Sequence, residues 1–548
     1  MTIHKTLLVH EQDNIMVALQ DLPKGSELPF KAAYIKLVDD VPAKHKFALR
    51  DFQIGDPVTM YGILVGKAHQ AIRKGERITT ENVKHATQTP EIKPDFDYQW
   101  TSPKPEKVPT FMGYHRPDGK VGTRNNWLVV PLVFCENRNI LAIKKALEPH
   151  LGYDQQLTEG LEAMVNMAAQ GADASQILAQ EVQVAKPQSA VDRPFANVDG
   201  VRFLTHHAGC GGTRADARLF CQLLVGYLMN PNVGGATLLS LGCQNAQVSM
   251  FREVLEEMAP GFNKPLYIHE QQGSPSEEAF IAEAVKSTVL GLSQINQISR
   301  QPASVDQLVI GMECGGSDGF SGISANPVLG KISDKMVAFG GSSILAEFPE
   351  LNGVEQHLLD RCMDRKDAYR FQHLMMEYGE KARAAGSGFE ANPSPGNIKD
   401  GLITDAMKSA GAAKKGGGAP ISSVLDYTEQ VVKKGLNLLF TPGNDVESTT
   451  ALAGSGATLI LFSTGLGTPT GNPATPVIKV SSNSILAKRM PDIIDFNAGG
   501  IISGIQSVEE SADVLMDHII RVASGEQLTC SEQLNQDDFI PWRKDLSL

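Results

Sequence analysis

Four apolar runs in this chain each stop at a cysteine: Asn126–Cys135 (NWLVVPLVFC), Val201–Cys210 (VRFLTHHAGC), Ala236–Cys243 (ATLLSLGC) and Gln307–Cys314 (QLVIGMEC). Runs of this length rich in β-branched and aliphatic residues, separated by amphipathic stretches such as Ala215–Met229 and Gln247–Met258, predict strands buried on both faces of a parallel sheet. Parallel strands present their carboxyl ends on one side, where open α/β sheets bind ligands. A single cysteine in such a run reads as a small core hydrophobe. Four at the same position along four strands point to a thiolate or soft-metal site.

The pattern changes at both ends of the chain. The first ninety or so residues alternate short apolar segments with turns (KTLLVHEQDNIMVAL, PAKHKFAL, DFQIGDPVTMYGILVG, IRKGERIT), which predicts a small β-rich barrel or clip over 1–92. Residues 93–110, rich in Pro, Lys and Asp without period, read as a linker. A central α/β domain is expected over 111–390, with a helical insertion near 153–191 where Ala, Gln and Glu carry apolar residues at helical spacing. From Asn392 onward glycine becomes dense and two further buried strands appear at Leu436–Phe440 and Ala457–Ser463, so 391–548 is expected to form a carboxy-terminal α/β domain. The fold class is α/β: a small amino-terminal β unit followed by a larger body of mostly parallel sheet flanked by helices.

At 548 residues the chain is too long for one core. With 42% hydrophobic and 20% charged residues it has ordinary globular composition, and no apolar run approaches the ~18 residues that span a bilayer. The start, MTIHKTLLVHEQDN, lacks a signal-peptide core, and seven cysteines read as reduced thiols, so a cytoplasmic location without membrane contact is expected. A formal charge of −12 with no basic tract excludes nucleic acid as a partner.

Chemistry concentrates in a few loops. Gly311–Gly330 (GMECGGSDGFSGISANPVLG) follows a buried strand and holds Cys314, Ser317 and Asp318 among glycines, a polarity that is costly to bury unless something binds it. Thr441–Asp445 places Asn444 and Asp445 past another strand end, with helix capping as the competing reading. Arg124 and Asn125 (GTRNN) stand where a guanidinium clamps a carboxylate, or where an ordinary ion pair forms. In the amino-terminal unit, His10 lies in the turn HEQDN and His45 with Lys46 in AKHKFAL, residue types suited to proton transfer near neutral pH.

The segments HEQDNIMVAL, KHKFAL, MYGILVGKA, GTRNNWLVVP, SLGCQNAQV, ECGGSDGFSGISANPVLG, ANPSPGN, LNLLFTPGND and LFSTGLGTPTGN together resemble the altronate/galactarate dehydratase family nearly end to end. The resemblance implies an amino-terminal SAF-type β-clip joined to an α/β body that dehydrates a sugar acid, D-altronate first among the substrates, through α-proton abstraction and β-hydroxyl elimination. Galactarate, another aldarate or a sulfonated hydroxy acid that loses sulfite are the alternatives, and a non-enzymatic sugar-acid sensor stands against the polar strand-end loops. It also implies iron, as Fe²⁺ (with Mn²⁺ possible) or as an iron–sulfur cluster. On that reading Cys210, Cys243 and Cys314, then Cys135 and His206, are the expected metal ligands, and His10, His45 and Lys46 the proton-transfer groups. Arg124, Asn125, Ser317, Asp318, Asn444 and Asp445 are expected to bind the substrate, and a homo-oligomer is expected. Proton transfer from the β-clip requires that unit to fold over the sheet edge. One departure is Ala412 in Lys408-Ser409-Ala410-Gly411-Ala412, where the family pattern has a cysteine.

Overall fold

The cysteine-ended runs do become parallel strands, but in two sheets. The computed structural model of the protein describes residues 5–104, 107–153, 160–182 and 193–544. In it β1 (Asn126–Pro131), β2 (Gly200–Phe203), β3 (Val233–Ser240) and β4 (Leu266–Glu270) form a four-stranded parallel sheet in the order β2-β1-β3-β4. A seven-stranded parallel sheet holds β5 (Val309–Cys314), β6 (Ser342–Leu345), β7 (Ile421–Leu425), β8 (Gly435–Leu439), β9 (Leu459–Thr464), β10 (Val477–Ser481) and β11 (Phe496–Asn497), in the order β7-β8-β6-β5-β9-β10-β11. Every residue of β1, β3, β8, β9 and β10 is buried, as strands covered on both faces must be, which is why their sequences run apolar without alternation.

The expected division at residue 390 does not coincide with the sheets. β5 and β6 belong with β7–β11, so no structural division falls at residue 390. The break lies instead after Ile295, where Gln301–Ser304 pairs antiparallel with Thr110–His115 in a small separate sheet. QLVIGMEC carries the same signature of two-sided burial whichever sheet receives it, so periodicity alone assigned Cys314 to the wrong neighbours. Within the expected insertion, helices occupy Leu161–Ala169 and Ala174–Leu178; the rest of that expectation, at 154–159 and 183–192, lies outside the described residues.

Helices cover the sheets. α1 (Asn137–Leu151) and α4 (Glu277–Ile295) bury Trp127, Val129 and Leu239 on one face of the four-stranded sheet. α2 (Arg214–Met229) and α3 (Val248–Met258) cover the other. α2 also meets α7 (Asp445–Gly454) of the seven-stranded sheet, and Gly226 allows the approach, since a Cβ there would stand 2.1 Å from the Gly454 carbonyl oxygen. α5 (Ala325–Ala338) and α6 (Asp405–Ala412) complete the layers around the second sheet. Among the described residues no helix is long and apolar enough to cross a membrane.

The amino-terminal unit consists of small antiparallel sheets, including Thr6–Leu7 with Ile15–Ala18 and Lys46–Ala48, and Pro57–Met60 with Ile63–Ala68 and Val83–Lys84. Its core of Ile15, Val17, Val58 and Val65 is continuous with Phe320, Ile323, Ala406 and Met407 of the body. Arg124, ahead of β1, ties the four-stranded sheet to the carboxy-terminal segment: it pairs with both Glu532 oxygens at 2.6 and 2.9 Å and donates to the Val522 carbonyl. Substituting Arg124→Met leaves a nearly buried Glu532 without its partner, expected to cost about 3–5 kcal/mol. The thermal midpoint of the variant should fall by several degrees, and an unchanged midpoint would show that this pair does not join the two segments.

Candidate active site

In the seven-stranded sheet, connections from β5 run one way through β6 to β8 and β7, while β9, β10 and β11 lie on the other side. The direction of winding therefore reverses between β5 and β9, and the crevice at the carboxyl ends of those strands is the ligand position of such a sheet. The loop after β5 opens there. Gly315 N–H donates to the Ser463 carbonyl, and Gly465 N–H returns a bond to the Gly316 carbonyl. Gly465 is needed because a Cβ would stand 2.3 Å from the Asp318 carboxyl carbon.

Asp318 is fully buried in this crevice. Its Oδ1 accepts from the Phe320 N–H and from the Ser321 and Ser482 hydroxyls, and its Oδ2 accepts from the Asn483 amide at 3.2 Å. A buried carboxylate with this many donors is oriented rather than free to turn. Ser317 is buried beside it, its carbonyl accepting from the Asn397 amide.

The β-clip reaches into the same crevice. Lys44, at φ +74°, sends its ammonium to Asp318 at 3.1 Å and to Asp400 at 2.7 Å. Lys46 is fully buried and donates to the Gly401 carbonyl at 2.6 Å; burial, only partly opposed by the Asp318 charge, pushes its ammonium down to about 7. The His45 Nε2 faces the Lys399 carbonyl at 3.1 Å, which can only accept, so Nε2 carries the proton and Nδ1 is the acceptor. Burial, with the charges of Lys46 and Arg77, lowers the His45 imidazole, so it is neutral at pH 7. The turn seats in a socket without side chains: a Cβ at Gly319 would stand 2.6 Å, and one at Gly401 2.4 Å, from the Lys44 carbonyl oxygen. Tyr61 of the same unit inserts its hydroxyl where a Cβ on Gly322 would be 2.4 Å away. Burial, then the charges of Asp13 and Asp318, raise that phenol far above its ordinary value.

Deeper along the same edge lies a cluster of buried charge. Glu313 and Cys314 end β5, Glu347 and Glu350 follow β6, Asp445 begins α7, Lys408 comes from α6, and Lys415 from the turn after it. Lys415 pairs with Glu347 at 2.7 Å and donates to Cys314 Sγ at 2.9 Å; Lys408 pairs with Glu350 at 2.6 Å. Burial, reinforced by Glu350, pushes the Cys314 thiol well up, so it keeps its proton and donates to Glu350 at 3.0 Å. Burial and then the Glu347 charge push Glu313 well above the carboxylate range, and burial with Glu347 and Glu350 raises Asp445 to about 7. Burial would raise Glu350 as well, but Lys408 and Lys415 outweigh it and hold it below its usual value. Glu347 sits at φ +64°, a conformation an L side chain adopts only under constraint. Four carboxyl groups thus face two ammonium groups, and the protonated Glu313 hydrogen-bonds the Glu347 carboxylate. Two three-donor sets within 4.8 Å arise here, Cys314-Glu347-Glu350 and Glu313-Glu347-Asp445, a geometry able to hold a cation.

The site therefore gathers His45, Lys46, Ser317, Asp318, Asp445 and Cys314 along one edge, and adds groups the sequence reading missed: Lys44, Tyr61, Glu313, Glu347, Glu350, Lys408 and Lys415. It separates others. The guanidinium of Arg124 is spent on Glu532 and on the Thr123 and Val522 carbonyls, so it offers nothing to a substrate carboxylate. Asn125 is likewise occupied, by Arg116, Asn197 and Ile295, at the amino end of β1, opposite the ligand edge. Asn444 is exposed and caps α7, accepting from the Val446 and Glu447 N–H groups, the capping role that competed for it. His10 is exposed, and its Nδ1 accepts from the Gln12 N–H in its own turn. His206 is buried against Phe220, with Nε2 bonded to the Pro131 carbonyl and Nδ1 accepting from the Ala208 N–H; burial pushes it down to about 4, so both nitrogens are engaged in the loop and neither reaches a metal shared with Cys314. Cys135, Cys210 and Cys243 follow strands of the four-stranded sheet, so the expected four-cysteine set is divided between two sheets.

Comparison with known proteins covers the whole architecture. Residues 4–86 match the family model "Altronate/galactarate dehydratase SAF domain", residues 113–296 "D-galactarate dehydratase/Altronate hydrolase, second domain", and residues 305–547 "D-galactarate/Altronate dehydratase, C-terminal". The last two meet at the break seen between the sheets. The chain is 32% identical to an altronate dehydratase of Bacillus subtilis (strain 168) over 94% of its length and 95% of the relative's, and 32% identical to that of Escherichia coli (strain K12) over 96% of each. It is 30% identical to a galactarate dehydratase (L-threo-forming) of Escherichia coli (strain K12) over 96% of its length and 94% of the relative's.

The glycine socket is testable without any knowledge of the ligand. Gly401→Ala adds a Cβ against Lys44 at a φ of +91°, which an alanine tolerates poorly. The turn is expected to lift off the edge, so that Lys46 reacts faster with an amine-acylating reagent in peptide mapping. Equal labelling of the two proteins would show that the socket does not hold the turn.

Proposed function

This chain belongs to the altronate/galactarate dehydratase family, and we propose that it is a hydro-lyase that removes water from D-altronate to give 2-keto-3-deoxy-D-gluconate. Identity to two altronate dehydratases along almost the entire chain supports a sugar-acid dehydratase. The observation that carries the mechanism is Lys46, buried against Gly401 at the sheet's switch point with an amine that is half neutral at about pH 7.

Removing the proton α to a carboxylate needs a base that is deprotonated yet oriented, and elimination of the β-hydroxyl needs a donor. In this reading the neutral Lys46 amine accepts the C2 proton, the C2–H electron pair forms the double bond to C3, and the C3 hydroxyl leaves as water with that proton returned by the Lys46 ammonium, His45 positioning the turn through its bond to the Lys399 carbonyl. The enol then tautomerises to the 2-keto acid. Lys44, between Asp318 and Asp400, supplies positive charge beside the reacting carboxylate, and Ser317, Asp318 and Asp445 read hydroxyl groups. A divalent cation fits the carboxyl groups of Glu313, Glu347, Glu350 and Asp445, which form two three-donor sets and would give up the Glu313 proton to bind it. Such an ion, Fe²⁺ in this proposal with Mn²⁺ as a substitute, supplies Lewis-acid stabilisation of developing negative charge.

Because Lys46 must be neutral to act, kcat/KM is expected to rise with pH through an acid limb centred near 7. The reading is tested by turnover on altronate and on galactarate with and without added Fe²⁺, following the 2-keto-3-deoxy product. Iron-dependent product from altronate supports it as stated. Preference for galactarate, in keeping with the third relative, changes the substrate alone, and sulfite release from a sulfonated hydroxy acid without dehydration of either sugar acid would overturn it.

A further inference from the structure

A hairpin tip of the β-clip carries strain that the clip itself does not explain. Pro57–Met60 and Ile63–Ala68 pair with Met60 opposite Ile63, so Tyr61 and Gly62 alone make the turn, at φ +60° and +80°. In a two-residue turn with both φ values positive, Asn, Asp or Gly is the ordinary choice, and a bulky side chain is strained. Gly62 fits that rule, since a Cβ there would stand 2.8 Å from His10 Nδ1, whereas Tyr61 breaks it. Asp13 holds the turn in place, its Oδ1 accepting from the Gly62 N–H and its Oδ2 from the His10 N–H, both at 2.9 Å. Strain that the surroundings impose in this way points to a side chain needed in one direction.

That direction is into the body. Tyr61 is 8% exposed and packs in the core it shares with Phe320 and Ile323, while its hydroxyl lies between two backbone stretches without side chains. A Cβ on Gly322, in the loop after β5, would stand 2.4 Å from the hydroxyl oxygen, and one on Gly411, in α6, 3.4 Å from it. Gly322 follows Ser321, whose hydroxyl bonds Asp318, and α6 carries Lys408 to Glu350. The phenol thus stands between the Asp318 loop and the helix that borders the charged cluster. Among the described residues its hydroxyl has no hydrogen-bond partner. A buried hydroxyl without a partner is destabilising, and a phenylalanine would fill the same slot without that cost. Burial, then the charges of Asp13 and Asp318, keep the proton on the oxygen, so the group is a donor that lacks an acceptor. The ligand of the crevice can bring one.

Tyr61 and Lys46 both come from the β-clip and both lie within the field of Asp318. Loss of the C2 proton builds charge on the oxygens of the adjoining carboxylate, and a fixed donor aimed at that charge acts most strongly as it develops. We infer that the Tyr61 hydroxyl donates a hydrogen bond to the substrate carboxylate oxygen on which charge accumulates as the C2 proton leaves, which makes Tyr61 a catalytic residue of the dehydration. The inference rests on the sugar-acid reading of the site. The phenol O–H bond stays intact throughout: its hydrogen bond tightens as the enediolate forms and relaxes once the C3 hydroxyl has left, while Lys46 moves the proton.

The test is Tyr61→Phe in the full chain, with kcat, KM and the thermal midpoint measured on altronate, or on galactarate if the parent prefers it. Phenylalanine keeps the ring and removes one oxygen. Loss of a donor of this kind is expected to lower kcat about 10²–10³-fold. KM should change little, because the bond is made chiefly in the transition state. The midpoint should be no lower than the parent's, because the lost hydroxyl had no partner in the protein. A midpoint several degrees lower would make the hydroxyl a structural group and overturn the inference. So would a folded variant that turns over at the parent's rate, or a rise in KM at unchanged kcat, which marks a contact made equally in the ground state. A parent that dehydrates no sugar acid overturns the proposed function together with this inference, whereas an active parent with an unimpaired Tyr61→Phe overturns the inference alone.

Discussion

The burial of the Lys44–Lys46 turn against the carboxyl edge of the seven-stranded sheet is the constraint from which the rest of the site follows. Taking an ammonium group out of water is costly unless its remaining partners are supplied, and here they are the Gly401 carbonyl for Lys46 and two carboxylates for Lys44. Only a backbone without side chains at Gly319 and Gly401 lets the turn approach closely enough to use them. The same seating explains why the β-clip shares a continuous apolar core with the body, with Thr404 Oγ1 bonded to the Val65 carbonyl across the junction. A hinged amino-terminal unit would lose the low-dielectric surroundings that lower Lys46.

Next to that turn, the buried charges beside Lys415 make little sense as a stabilising device. Buried ion pairs seldom repay their desolvation, and carboxyl groups crowded beside one another add to the cost. Glu347 in a strained conformation, Glu313 holding a proton and Asp445 raised towards neutrality describe a cluster organised around charge that arrives from outside the chain. Asp445 is only half-buried and marks the approach, and Gly315 keeps it open, since a Cβ there would stand 1.9 Å from an Asp445 oxygen.

Much of this was legible in the sequence because local pattern and local environment coincide. Strands buried on both faces show as unbroken apolar runs, and the polar glycine-rich loop after Cys314 and the KHK turn carried chemistry in their composition alone. What could not be read depends on partners distant in the chain. Arg124 looks the same whether it meets a substrate or Glu532, more than 400 residues away. Glu347 and Glu350 lie in SILAEFPEL, which reads as a strand followed by an ordinary turn, and Lys408 and Lys415 belong to a helix and turn whose inward face only the fold reveals. Four cysteine-ended strands gave no hint that one would join a different sheet, because burial on two faces imprints the same pattern in both.

The most direct test of the account is turnover of Lys46→Met at saturating altronate, with the thermal midpoint measured in parallel. Methionine preserves the packing of the aliphatic stem and removes the amine, so the account predicts a midpoint no lower than that of the parent and a loss of kcat of roughly 10²–10⁴-fold, as for removal of a general base. A folded variant that turns over as fast as the parent would contradict the claim that the docked turn carries the proton.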